Sequence, residues 1–162
     1  MTMAKPAFKD APLRSEIENL AKQQDHHTLA CWAAECAARV LYIFEKKTED
    51  LRAHDAIDAG RGWIRGEIAM VDARKAAFAA HAAAREVDHV AASAASRAAG
   101  HAAATAHVKG HAVHAATYAV KAIFYDSLME EQERRVLEER TWQYQYLLGG
   151  CNDHGERTRE IN

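Results

Sequence analysis

The ten histidines are the side chains of this sequence most able to do chemistry. Imidazole titrates near neutral pH and ligates transition metals, so a gathered set of histidines is a candidate ligand site. His107 and His111 are four residues apart and His114 follows three later, which puts three rings on one side of a helix. Glu67 is the carboxylate that could join them, giving Glu67, His107, His111 and His114 as the candidate ligands of a metal ion. Other metal motifs fit less well. The His107–His111 pair lacks the glutamate beside its first histidine that serves a metalloprotease as general base. A di-iron bundle needs two Glu-x-x-His units on separate helices, and the one present, Glu86 to His89, falls at an expected turn. No phosphate-cradling glycine loop, dinucleotide fingerprint or nucleophile elbow occurs, so no catalytic residue, no cofactor and no enzymatic role is assigned.

The elements that must position these groups are helices. Alanine occurs 36 times against 2 prolines and 8 glycines, a bias that favours helix and disfavours strand. Leu29, Trp32, Ala33, Cys36, Val40, Ile43 and Phe44 recur at three- and four-residue spacings and mark the buried stripe of one amphipathic helix, with Asp25 or Thr28 as its cap. Gly60, Gly62 and Gly66 predict a kink or short break around Trp63, after which helix resumes over 68–87. Asp88 caps a further helix expected to run unbroken to about Tyr125. A final helix over 127–148 is expected to bury Val136, Leu137, Tyr144, Leu147 and Leu148. The expected fold is all-α: a compact bundle of five or six helices around a central Ala-rich antiparallel hairpin that turns at Glu86–His89. Residues 1–12 are expected to be a frayed N-terminus, 13–148 a single helical domain and 149–162 a polar mobile tail.

At about 100° per residue, the bulky groups of the hairpin align. Trp63, Glu67, Met70, Arg74, Phe78, His81 and Arg85 share one wedge, and Ser93, Ser96, Gly100, His107, His111, His114, Tyr118 and Tyr125 share another, with His101 on a different face. Three readings stay open: each wedge is a solvated face, or together they form a satisfied polar seam, or they line a functional pocket. The hairpin register sets Glu67 within reach of His107 or His111 and Arg74 level with His101. The polar-seam or ligand candidates are therefore Glu67, Arg74, His81, Arg85, His107 and His111.

A formal net charge of −2 argues against general nucleic-acid binding, which needs a basic surface. No apolar run approaches the roughly 20 residues of a membrane span, and the first residues lack a signal-peptide core. Three cysteines suggest free thiols in a reducing cytoplasm, with Cys31 and Cys36 too far around one helix to bond each other.

Trp32, Trp63, Gly66, Glu67, Arg74, His81, Arg85, Gly100, His107, His111 and Trp142, set in ordered alanine-rich stretches over 29–143, carry a resemblance. In these residues, and in Glu139-Arg140-Thr141-Trp142-Gln143 as a closing motif, the sequence resembles a bacterial family of small all-α proteins named putative immunity proteins. Ala53 departs from it, standing where the family tends to have proline. The resemblance implies a protein that binds a cognate toxin and covers or distorts its active site, with no catalytic residues to carry over. The acidic helix over 127–140 and the segment over 45–58 are the expected docking surfaces, and a homo-oligomer formed through the Ala-rich hairpin is a further expectation.

Overall fold

A computed structural model describes residues 5–149; the tail expected over 149–162 lies, apart from Gly149, outside the described residues. Among the described residues there are seven α-helices, one 3-10 turn and no strand. The helices are α1 (Arg14–Ala21), α2 (His26–Glu45), α3 (Arg52–Ile64), α4 (Met70–Glu86), α5 (Val90–Ala104), α6 (His111–Asp126) and α7 (Gln132–Gly149), with the 3-10 turn at Met129–Glu131 before α7.

The expected count of five or six is corrected to seven because the long helix over 89–125 is two helices. At Thr105 the hydroxyl donates to His101 O at 2.9 Å, while Val108 N and His107 N both return to Ala104 O at 3.0 Å. This tight turn consumes the carbonyls that would have propagated α5, and α6 restarts at His111. The break near Trp63 is a glycine stop. Gly66, at φ +73°, donates to Trp63 O at 3.0 Å, and Glu67 N donates to Gly62 O at 2.8 Å. That pair of bonds is the Schellman closure, in which a left-handed glycine satisfies the last carbonyls of a helix. At the start of α5 the cap is His89, whose Nδ1 accepts from Ala92 N at 3.1 Å, and not the expected Asp88.

Helix α5 is the hub. Ala91, Ala92, Ala94, Ala95, Ala98, Ala99 and Ala102–Ala104 are all buried, and the helix packs against α2, α3, α4 and α6. The single hairpin expected at the centre is thus one side of a five-helix cluster. On that side Ser93 Oγ donates to Ala84 O at 2.7 Å and Ser96 Oγ to Ala80 O at 2.8 Å, which ties α5 antiparallel to α4. Small side chains let axes approach closely. A Cβ built on Gly60 of α3 would sit 3.5 Å from Ala102 O, and one built on Gly100 would sit 2.8 Å from the His81 ring. Bulk comes from the flanking helices, through Ile17, Trp32, Val40, Ile43, Phe44, Ile57 and Leu147.

The bundle is closed by polar groups at the α7 interface. Its buried stripe is Val136, Glu139, Arg140, Gln143 and Leu147, whereas Leu137 and Leu148 of the expected stripe face solvent. Arg140, 1% exposed, donates to Asp10 Oδ1 and Oδ2 at 3.0 and 2.7 Å, to Thr117 Oγ1 at 3.0 Å and to Gln143 Oε1 at 2.9 Å. Gln143 Nε2 donates to Ala116 O at 2.9 Å, and Trp32 Nε1 donates to Gln143 O at 3.0 Å. A buried guanidinium with its donors satisfied belongs in a core that a simple apolar count would reject. The frayed N-terminus is corrected over residues 5–12. Asp10 holds Arg140, the Phe8 ring meets Phe124 edge-on at 5.4 Å, and Tyr125 Oη donates to Pro6 O at 3.1 Å.

Three sets of substitutions check this packing. Gly60→Ala meets only ordinary contacts and is expected to raise the unfolding free energy by about 0.5–1 kcal/mol. Gly100→Ala is expected to lower it, because displacing the His81 ring costs about 1–3 kcal/mol, and His81→Ala in the same chain restores the gain. Arg140→Ala is expected to cost about 3–5 kcal/mol in urea unfolding, as it leaves Asp10 and Gln143 without their shared donor.

Candidate functional site

Four histidines and a tyrosine from three helices converge beside the hub. His101 of α5 lies at the centre. Its ring is 4.8 Å from His81 of α4, and 5.2 and 5.4 Å from His111 and His114 of α6; it stacks on Tyr118 at 5.2 Å, 14° from parallel. His101 Nδ1 and His111 Nδ1 face each other at 3.0 Å. Two neutral imidazoles make that contact only if one carries its proton at Nδ1 and the other accepts there. Gly100 makes room for the His81 ring, whose Nδ1 is buried with no hydrogen-bond partner among the described residues.

Burial, reinforced by the other rings and by Arg97, pushes His101 down to about 3. Burial first, then the charges of Arg97, His111 and Arg85, lower His81, and burial with His114 and His107 lowers His111. His81, His101 and His111 are therefore held toward their neutral forms, able to donate and accept hydrogen bonds, beside Arg85 and Arg97, which have no carboxylate partner among the described residues.

The structure separates the residues that the sequence set together. The association of Glu67 with His107 and His111 is corrected: Glu67 is exposed and takes both oxygens to Arg65, at 3.0 Å each. The Schellman closure is the cause. It puts Glu67 in the connection after α3, out of phase with Met70, Arg74, Phe78, His81 and Arg85 on α4. Arg74 is exposed with its guanidinium 5.4 Å from the Phe78 ring, Arg85 is exposed in the last turn of α4, and His107 is exposed in the turn between α5 and α6. His81 and His111 alone of the six candidates enter the cluster. The ligand set Glu67, His107, His111 and His114 does not gather. Among the described residues, the three donor atoms that lie within 4.8 Å of one another belong to His54, Asp55 and Asp58, all exposed on α3. Asp55 and Asp58 already flank the His54 ring at 3.2 and 3.6 Å, an ion pair at the surface that raises His54.

On an unbroken helix His101 lies on another face from His111 and His114; the turn at 105–110 resets the phase and swings α6 onto it. The signal available in the sequence was Thr105 with Gly110, a hydroxyl and a glycine inside an alanine run. Among the cysteines, Cys36 is a buried free thiol pushed well up by desolvation, hence inert. Cys31 is disulfide-bonded, which corrects the expectation of free thiols at that position.

With the bundle and its histidine cluster in view, the sequence comparison is specific. Residues 19–149 match the Imm-5 like putative immunity protein family, and the chain belongs to that family. No curated protein and no solved structure matches it. Several residues that carry the likeness are architectural. Trp32 bonds the α7 backbone, Gly66 ends α3, Gly100 admits His81, and Trp142 stacks under the Arg39 guanidinium at 4.1 Å while Arg39 pairs with Glu139 at 2.8 and 2.9 Å.

The cluster makes a pH prediction. The folded protein holds His101 neutral down to about 3, whereas the unfolded chain protonates near 6.5. Between those values the unfolded state binds the extra proton, so stability is complete above about pH 6.5 and falls as the pH drops toward 3. In denaturant titrations from pH 7 to 4, His101→Gln is expected to lose stability less steeply, by up to about one proton.

Proposed function

We propose that this chain neutralises a partner toxin by direct protein–protein binding. Membership of the immunity protein family over residues 19–149 is the observation that carries the reading. The surface that suits it best lies at the start of α7. Leu128, Met129 and Leu137 are 64%, 77% and 50% exposed, and Glu130, Glu133 and Glu138 are exposed around them. Met129 and Leu137 line one groove of about 410 Å³ with Pro12, Val136 and Phe124. An apolar centre inside a charged rim is the anatomy of a protein interface, and its acidic rim suits a basic surface on the toxin. The segment over 45–58 offers Leu51 as its exposed large apolar side chain, with Asp50 and Arg52 committed to each other at 2.7 Å.

Co-expression with the toxins encoded beside its gene tests the reading. Protection by the intact chain is expected, together with a stable complex of the two purified proteins. Met129→Glu with Leu137→Glu is expected to weaken the complex at least about tenfold while leaving the helical circular dichroism unchanged. Failure to protect against every neighbouring toxin overturns it. Self-association through this face in light scattering, with no toxin bound, also overturns it.

A further inference from the structure

A second groove, of about 520 Å³, opens where the end of α4, the start of α5 and the outer face of α6 meet the N-terminal segment. It shares no lining residue with the groove at α7. Lys5, Arg85, Arg97 and Lys121 line it, from four different elements, and Asp88 is the one carboxylate among its walls. None of the four cations has a carboxylate within 4 Å among the described residues, whereas Arg52, Arg61 and Arg140 elsewhere are each ion-paired. This concentration of positive charge occurs in a chain whose formal net charge is −2, so it is local and not a consequence of overall composition. The aromatic walls organise two of the cations. Lys121 Nζ lies 4.7 Å from the Tyr118 ring and Lys5 Nζ lies 4.7 Å from the Tyr125 ring, both leaving N–H donors unspent. The charge of Arg97 and Arg85 is felt by the neighbouring imidazoles, which it helps to keep unprotonated.

We propose that this groove is a binding site for a small ligand bearing a diphosphate group. Four cations with no carboxylate partner among the described residues, against the single Asp88 in the walls, call for more than one negative charge. Two guanidiniums match the bidentate geometry of phosphate oxygens, and two ammonium groups add point charges that adapt to either phosphate. The groove falls within the roughly 300–1,000 Å³ of small-molecule sites, room for a nucleoside diphosphate and more than enough for inorganic diphosphate. The neutral His101 ring stands behind Tyr118 through their stack, so it supports the wall of the groove without adding charge to it.

Isothermal titration of the intact chain with inorganic diphosphate and, separately, with ADP tests the assignment. Saturable one-to-one binding of at least one of them is expected, weakening as salt rises from 25 to 150 mM (about a 2.4-fold fall in Debye length). Binding of diphosphate alone identifies the group itself as the ligand; tighter binding of ADP adds a nucleoside. Arg85→Ala with Lys121→Ala is expected to weaken binding at least about tenfold, and Lys75→Ala, which removes an exposed cation of α4 outside the groove, to leave it unchanged. Arg97→Ala is expected to behave like the double variant. Should it fail to fold, the double variant, which alters the exposed Arg85 and the half-buried Lys121, still decides. The proposal is overturned if neither probe saturates at millimolar concentration, if Lys75→Ala weakens binding as much as the double variant, or if a hexaglutamate peptide binds as tightly as diphosphate.

Discussion

Everything in this bundle depends on how closely other helices can approach α5. A helix whose buried side chains are alanine, serine and glycine contributes little apolar area of its own, and its value lies in the distance it permits. Four helices press against it, so the bulk needed for a stable core comes from those neighbours, through Trp32, Phe44 and Ile57. The same geometry governs the polar groups. Any large side chain that α5 does carry must leave the crowded interior at an edge, and His101 leaves where α4 and α6 both end up within ring contact. The histidine cluster is thus a by-product of close packing before it is anything else, and its neutral rings follow from the desolvation that packing imposes.

Much of this was legible in the amino-acid sequence. The α2 stripe from Leu29 to Phe44 is buried at every position its periodicity marks, because large apolar residues at helical spacing have one way to be satisfied. The glycines around Trp63 announced a break. What failed was carrying one helical phase across it: Glu67 and Met70 look like neighbours at 100° per residue only if the Schellman turn between them is ignored. The same error, at Thr105–Gly110, hid the part of His101. Alanine runs give no periodic contrast by which a reader could detect that the phase has changed. The α7 interior was misread for a different reason. Arg140 and Gln143 are buried because each satisfies the other and Asp10 supplies the counter-charge from a distant part of the chain, information that no local pattern contains.

The family likeness has a double content when set against these contacts. Trp32, Gly66, Gly100, Glu139 and Gln143 hold the frame, so their presence speaks for the fold. Met129, Leu137 and Lys121 face outward on two separate grooves and do not hold the frame. Binding specificity can vary on that outer set while the alanine hub stays as it is.

The pairing of Asp10 with Arg140 has a consequence for synthesis. The two residues are 130 positions apart, so the carboxylate leaves the ribosome long before the guanidinium it must neutralise has been translated. Helices α1 to α6 can collapse around α5 as they emerge, but the wall formed by α7 stays open until Arg140 has been translated and can join Asp10. Until α7 is in place the Trp32 indole lacks its acceptor on Gln143 and the Asp10 carboxylate lacks its guanidinium, so the sealing of that seam waits on the translation of α7.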